Sequence, residues 1–315
     1  MRKFDIRQKL RLFVIAGSIL GFILFGMLSV FALLNLWAEL NKYGGSLGNS
    51  LTAQIENFTR REETDRLIES TQLRAELIDY EARAIQEDVQ NLSLKLSSLS
   101  QNLQLHKTVE LPNALNEEIL AGTPYVHFSP ELVERGAPPE IIYEMQILSN
   151  IAEDEKFLIQ HYANYPCIFV GSKNGYTIRI EQPEYEEQIA TMCLAAWRHS
   201  YDARQRTWYK LGVEKNSIAF TDVYKATLGY PCFSCVAPYY DNSGFAGVVG
   251  IDINLEDMHI ILKDNAFNEN EISFIIGNNG EILSSTQQTG ILKVSGIDND
   301  LRQLQNLNSR RLLKE

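Results

Sequence analysis

From Leu12 to Ala38 the chain reads LFVIAGSILGFILFGMLSVFALLNLWA, a run without a single charged side chain. As a helix rising about 1.5 Å per residue it reaches roughly 40 Å, enough to cross a hydrocarbon core of about 30 Å with some tilt. Arg2, Lys3, Arg7, Lys9 and Arg11 precede it, and Glu39 is the first charge after it. Basic residues on the short N-terminal side hold that side in the cytoplasm, so residues 1–11 are expected there and everything after residue 38 outside. A cleaved signal peptide would have an apolar region of about half this length, ending in a small-x-small site. This run ends in Leu-Asn-Leu-Trp-Ala, with Trp37 suited to the membrane interface, and reads as an uncleaved signal anchor.

The part expected outside is acidic. It holds 24 basic against 39 acidic side chains, a net charge of −15. Nucleic acid and anionic lipid both need a basic face, so neither is an expected partner. All four cysteines lie in this part: Cys167, Cys193, Cys232 and Cys235. Cys232-Phe-Ser-Cys235 has the spacing of a redox or zinc pair, but no second CxxC or HxxxH completes a zinc set. The pair sits in a β-branched and aromatic run that reads as strand. There residues i and i+3 face opposite sides, and a bridge would strain the backbone. Buried thiols, or one long-range disulfide, fit better than redox chemistry.

After the anchor a short polar Gly/Ser/Asn stretch at 42–50 is expected to precede a long helix over about Leu51 to Leu105. Ala75, Ile78, Ala82, Ile85, Val89, Leu92, Leu96, Leu99 and Leu103 recur at alternating spacings of three and four, a narrow apolar seam. Such a seam wants a partner, either a second copy in a dimer or the domain that follows. Pro112, Pro124, Pro130, Pro138 and Pro139 break regular structure, and Glu140 to Gln160 reads as helix. From Tyr165 the period becomes two. CIFVGSKNGYTIRI is strand, Asn-Gly turn and strand. Glu184 to Trp197 reads as helix; IAFTDVYKA, FSCVAPYYD and FAGVVGIDINL read as antiparallel strands, with a turn at 241–244 and a short helix from Leu255 to Asp264. FIIGNNGEILSS, from Phe274, repeats the first hairpin at an offset of 105 residues, which suggests two modules of one fold. The second has about 48 residues before Glu315 and reads as incomplete, through fragmentation or natural truncation.

No GxSxG, HExxH or phosphate-cradling GxxxxGK(S/T) occurs. His106, His127, His161, His199 and His259 are scattered without metal spacing. The chain is therefore not read as an enzyme, and no cofactor or metal is expected. What it does carry is YDARQRTWY at 201–209, which packs three aromatics, two guanidinium groups and a carboxylate into nine positions.

A membrane anchor, a long helix, a hairpin, then DARQRTWY, a Tyr-bearing strand, APYYDNSG and GVVGIDINLEDM together resemble the double-Cache sensor domain of bacterial transmembrane receptors. The resemblance covers roughly residues 39–315 and is most specific over 165–262. The family's Asp-x-Arg-x-Arg-Pro-Trp-Tyr stretch appears with Thr207 in place of the proline. Its later elements appear as Pro238-Tyr239, Gly244 and Gly247-Val-Val-Gly250-Ile-Asp252. The fold implied is α+β: the transmembrane helix at 12–38, a long stalk helix at 39–110, then tandem PAS-like modules with central antiparallel sheets. The membrane-distal, ligand-binding module is expected at 111–265 and the start of a membrane-proximal one at 266–315. The expected protein is a receptor of the bacterial inner membrane, dimeric through its stalk, whose ligand signal passes to a cytoplasmic output domain outside this chain.

For the members of that family that bind free amino acids, the motif implies Arg206 and Trp208 on the ligand carboxylate. Tyr201 and Tyr209 would line the pocket, and Tyr224 and Asp252 would hold the ammonium group. The chemistry is sensible: a guanidinium gives a carboxylate two parallel charge-assisted bonds, an indole N–H adds a donor, and a carboxylate among aromatic faces suits an ammonium ion. The same members carry an Asp where this chain has Ala226, so an amine, a carboxylate or another small metabolite is expected alongside an amino acid. Asp202 and Arg204 read as an architectural pair. Asp252 ends a buried strand, where a carboxylate needs either a ligand or an internal partner. A ligand-free structural ectodomain and an extracytoplasmic enzyme are the alternatives from other classes.

Overall fold

The computed structural model describes residues 6–115, 117–194, 197–255, 262–263, 272–277 and 282–286. The chain divides into two units, 1–71 and 72–315. Helix α1 runs without interruption over Ile6–Gln101. In the first unit it is the whole of the described structure, and it contains a stretch long and apolar enough to cross a membrane. Phe22, Phe25, Leu33 and Trp37 stand exposed on it, a surface that suits lipid and not water. The polar stretch at 42–50 lies inside the helix. A glycine inside a helix costs about 1 kcal/mol relative to Ala, which weakens the helix without ending it when strong helix-forming runs flank it on both sides. The Thr52 hydroxyl donates to the Gly48 carbonyl at 3.0 Å.

In the second unit the last turns of α1 belong to a sheet domain. The seam is spent inside this domain from Ile85 onward. Ile85, Val89, Leu92, Leu96 and Leu99 are core residues, whereas Ala75 is exposed and Ile78 and Ala82 are half-buried. The helix ends at Gln101, and a 3-10 turn follows at Leu103–Leu105. The prolines after it bracket elements more than they break them. Strand β1 (Tyr125–Phe128) follows Pro124, Pro130 opens α2 (Pro130–Arg135), and Pro139 opens α3 (Pro139–Leu148). Proline suits the first helical turn because the N–H it lacks would have no partner there. The helix expected over 140–160 is α3 and α4 (Ala152–His161) joined by a 3-10 turn at Ser149–Ile151.

The first hairpin forms as read, with β2 (Cys167–Ser172) and β3 (Tyr176–Glu181) joined at Asn174-Gly175. Gly175 sits at φ 92°, a conformation that favours glycine. Helices α5 (Glu186–Leu194) and α6 (Trp197–Ser200) follow, then a 3-10 turn at Ala203–Gln205 and α7 (Thr207–Lys215). The run IAFTDVYKA gives two short strands, β4 (Ala219–Phe220) and β5 (Tyr224–Lys225), both paired to β6 (Pro231–Asp241). Strand β7 (Gly244–Asn254) returns antiparallel to β6 and also pairs with β2. The resulting sheet has the order β1-β3-β2-β7-β6-β4, with β5 also on β6. Strands β8 (Phe274–Ile276) and β9 (Ile282–Ser285) pair antiparallel as the repeat predicted. The Asn-Gly turn between them, most of the helix read from Leu255 to Asp264, and most of 266–315 lie outside the described residues.

Alternation along the strands gives the sheet two faces. Ile168, Val170, Tyr176, Ile178, Ile180, Ala237, Tyr239, Val249, Ile251 and Ile253 pack with α1, α3 and α4. Cys167, Phe169, Val236 and Val248 face the other way and pack under Tyr201, Ala203, Trp208 and Tyr209. The α+β architecture with a central antiparallel sheet is thus in place for the first sheet module.

Candidate functional site

The segment 201–209 is fastened across the second face of the sheet. The Asp202 carboxylate accepts from the Arg204 backbone N–H at 2.9 Å, closing the 3-10 turn. It also receives the Arg204 guanidinium through Nε and Nη2 at 2.8–3.2 Å, and Nη2 reaches Glu131 of α2 at 2.8 Å. Asp202 and Arg204 are therefore engaged with the protein itself, as the sequence suggested. Arg206 then leaves the turn in extended conformation at the N-cap of α7. The next turn lays Trp208 on Phe169, with ring centroids 4.4 Å apart. Gly171 makes room for it: a Cβ there would stand 2.7 Å from the Trp208 ring and 3.0 Å from Tyr209.

Beneath this segment lies a cleft with about 200 Å³ of empty space, open mouth included. Tyr201, Arg206, Trp208, Tyr224 and Asp252, five of the six expected site residues, line it. Tyr209 is not among its lining residues. It packs edge-on against Trp208 and Phe245, one layer back, because Trp208 takes the place over Phe169. Ala226, the position at which the chain departs from the motif, also lines it, and three residues that the motif did not point to complete the wall: Phe169, Arg179 and Thr227. The signal for Arg179 was present in TIRIE, where polar residues alternate with Ile in a strand that is buried on both faces.

Asp252 is 3% exposed and has internal partners. Its Oδ1 accepts from the Ser234 hydroxyl at 2.6 Å and the Tyr224 hydroxyl at 2.8 Å, and its Oδ2 from the Tyr230 hydroxyl at 3.1 Å. Burial raises its pKa; the bonds from Ser234 and Tyr224, the charge of Arg179 and the bond from Tyr230 pull it back. A carboxylate has about four lone-pair positions, so three donors leave room for one more. Arg206 is differently placed. Nη2 donates to the Lys225 carbonyl at 3.3 Å, while Nε is buried without a hydrogen-bond partner among the described residues. No carboxylate is bonded to it among the described residues. Arg179 is 4% exposed and pairs with Glu181 at 2.9 Å. Among the described residues, no group of three or more His, Cys, Asp or Glu is placed to hold a metal.

Cys167 lies behind the cleft, its Sγ accepting from Arg179 Nη2 at 3.4 Å. Cys167, Cys232 and Cys235 are buried free thiols, and burial raises all three, Cys235 to about 12. Cys235 sits opposite Ile251 in the helix-side core, whereas Cys232 shares the alternate face of β6 with Ser234, so the CxxC spacing spans the sheet. The side chain of Cys193 lies outside the described residues.

A sheet with helices on one face and an open polar-aromatic cleft on the other is the architecture of PAS-like modules. Residues 144–260 match the family model described as "Methyl-accepting chemotaxis protein-like, first PDC sensor domain". That match covers most of the sheet module and makes this stretch similar to PDC, or Cache-type, sensor domains. No curated protein matches the chain. Among solved structures it is similar to the ligand-binding domain of the Pseudomonas aeruginosa amino-acid chemoreceptor PctC in complex with GABA. That match has 21% identity and a TM-score of 0.33, over 43% of this chain and 56% of that one. It is also similar to the ligand-binding domain of the Campylobacter jejuni chemoreceptor Tlp3 in complex with 4-methylisoleucine, at 17% identity and a TM-score of 0.35, over 65% of this chain and 67% of that one. A third is that of the Pseudomonas fluorescens chemoreceptor CtaA in complex with L-valine, at 18% identity and a TM-score of 0.31, over 49% and 60%. The chain thus spans a little over half the length of the first of these.

Proposed function

We propose that this chain is the sensing part of a bacterial inner-membrane receptor, and that its cleft binds a small metabolite bearing a carboxylate, an amine or both, with an amino acid as the leading class. The observation that carries the reading is the Arg206 guanidinium, which presents a buried Nε, unpartnered among the described residues, in the same cleft as the hydroxyl-ringed Asp252. A buried donor without a partner costs about 1–3 kcal/mol, and a carboxylate offers the side-on, two-bond match that removes this cost. In this reading Arg206 and Trp208 receive the carboxylate, Tyr201 walls the site, and Tyr224 and Asp252 face the amine. Tyr209 supports Trp208 from behind.

The same reading divides the chain into a cytoplasmic N-terminus (1–11), an anchor (12–38), a stalk (39–110), a membrane-distal ligand-binding module (111–265) and the start of a proximal one (266–315). The positive-inside bias supports a sensor outside the cytoplasm. Since the seam from Ile85 onward is spent in the sheet domain, a second copy would pair with the stalk before that residue. The output is a conformational shift passed to a cytoplasmic domain.

The test is thermal unfolding of the full chain in nanodiscs against panels of amino acids, amines and carboxylates. A true ligand at a hundred times its Kd stabilises the protein by about 2.7 kcal/mol. Arg206→Ala should abolish the shift. No shift from any panel, or an equal shift in Arg206→Ala and Asp252→Ala, would overturn the assignment.

A further inference from the structure

The residues of YDARQRTWY account for only part of the cleft; β3 adds Arg179, and the loop after β5 adds Thr227. Along that strand Tyr176, Ile178 and Ile180 point to the helix-side core, while Thr177, Arg179 and Glu181 take the alternate face, and all six are buried. A polar strand face can be buried only if its groups have internal partners. Glu181 Oε1 receives Arg179 Nη2 at 2.9 Å and the Tyr125 hydroxyl at 3.0 Å. The Arg179 guanidinium lies 5.6 Å from the Tyr201 ring centroid, and its Nη1 reaches the Thr227 hydroxyl at 3.4 Å. Both Arg179 and Thr227 line the cleft.

Two physical consequences follow for anything bound there. Arg179 is held by Glu181, Tyr201 and Thr227, so a ligand pays little to order it. It is also nearly dry. An acceptor brought against it gains a hydrogen bond in a low-dielectric site, whereas a methyl group of the same size leaves a buried charged donor facing hydrocarbon. A site built on such a donor rejects the analogue that lacks the acceptor far better than an apolar pocket discriminates by size. The charge of Arg179 is already matched by Glu181, so a neutral acceptor suits it as well as an anionic one.

Resting on the carboxylate reading above, we propose that Arg179 and Thr227 are the specificity determinants of the cleft. They select ligands whose second group is short and ends in a hydrogen-bond acceptor, a carboxylate, carboxamide or hydroxyl, over aliphatic groups of equal size.

Titration calorimetry on the full chain in nanodiscs tests this with matched pairs: L-asparagine and L-aspartate against L-leucine, L-threonine against L-valine, and succinate against butyrate. The acceptor-bearing member of the pairs that bind should be tighter by at least about tenfold. Arg179→Met should bring those pairs to within about threefold. Because that change leaves Glu181 buried, Thr227→Val, at a half-buried loop position, provides a second variant and should narrow the same ratio in the same direction. If the wild type binds with a need for Arg206 but does not rank these pairs, or if Thr227→Val leaves the ranking untouched, the selectivity proposal fails while the carboxylate reading stands. If no member of any pair binds, both fail.

Discussion

Glu155 gives the sharpest test of how this domain is held together. It lies on α4, its side chain is fully buried, and neither of its oxygens has a hydrogen-bond partner among the described residues. Burial, then the neighbouring charges of Asp154 and Glu181, raise its pKa from 4.5 to about 8. Those two carboxylates have cationic partners of their own: Lys95 pairs with Asp154, and Arg179 with Glu181. At pH 7 the folded chain therefore keeps a proton on Glu155 that the unfolded chain has lost. The native state binds more protons between the two pKa values, so stability falls as pH rises across that window. The contribution is fully present below about pH 4.5 and gone once pH has risen through about 8. At about 1.4 kcal/mol per pH unit, the loss between pH 5 and 7 is about 3 kcal/mol. Glu155→Gln keeps the shape and removes the titration. Urea unfolding of the solubilised chain at pH 5, 6, 7 and 8, followed by near-UV circular dichroism, should show the variant gaining on the wild type by about that slope and levelling off above pH 8. Parallel profiles for the two proteins would refute the reasoning.

Four further outcomes are expected. Gly171→Ala forces a Cβ against Trp208 and Tyr209 and should cost about 1–3 kcal/mol, with ligand affinity in calorimetry lost along with it because Trp208 is displaced from the cleft. Ser234→Ala removes the shortest hydrogen bond to Asp252 and should destabilise by about 1–3 kcal/mol in urea titration. Leu96→Ala, in the buried part of the seam, should cost about 2–5 kcal/mol, whereas Leu105→Ala, exposed after the helix end, should stay within about 0.5 kcal/mol. In a Cys193→Ser background, Cys167, Cys232 and Cys235 should resist a thiol reagent in the native protein at pH 7.5 and react fully in denaturant; rapid native labelling would contradict their burial.

The hairpin at 167–181 was legible because Asn-Gly and a period of two leave few other options, and the β6–β7 pair was legible for the same reason. The strand at Tyr125–Phe128 was hidden by its setting. Prolines before and after it read as breakers, while its pairing to β3 is a long-range fact that no local pattern carries. The helix over 42–50 runs through Gly44, Gly45 and Gly48 because the helix-forming runs on either side sustain it. In the site, the motif supplied Arg206, Trp208, Tyr224 and Asp252, which come together from α7, β5 and β7. It missed Arg179 and Thr227, whose relevance depends on β3 lying two strands from β7 and on the loop after β5 folding over it. Tyr209 was misplaced by one layer: it adjoins Trp208 in sequence, but only one of the two rings fits over Phe169.

Strand β7 has a consequence of its own for the proposed sensing role. Its cleft side carries Asp252, and the residues on either side of it, Ile251 and Ile253, are seated among the core side chains that α1 shares. Adjacent Cα atoms are only 3.8 Å apart. The cleft-bearing surface and the helix-bearing surface are thus two sides of one sheet, with no layer between them. A tilt of β7 of a few degrees, in the manner of a see-saw, would register on both at once.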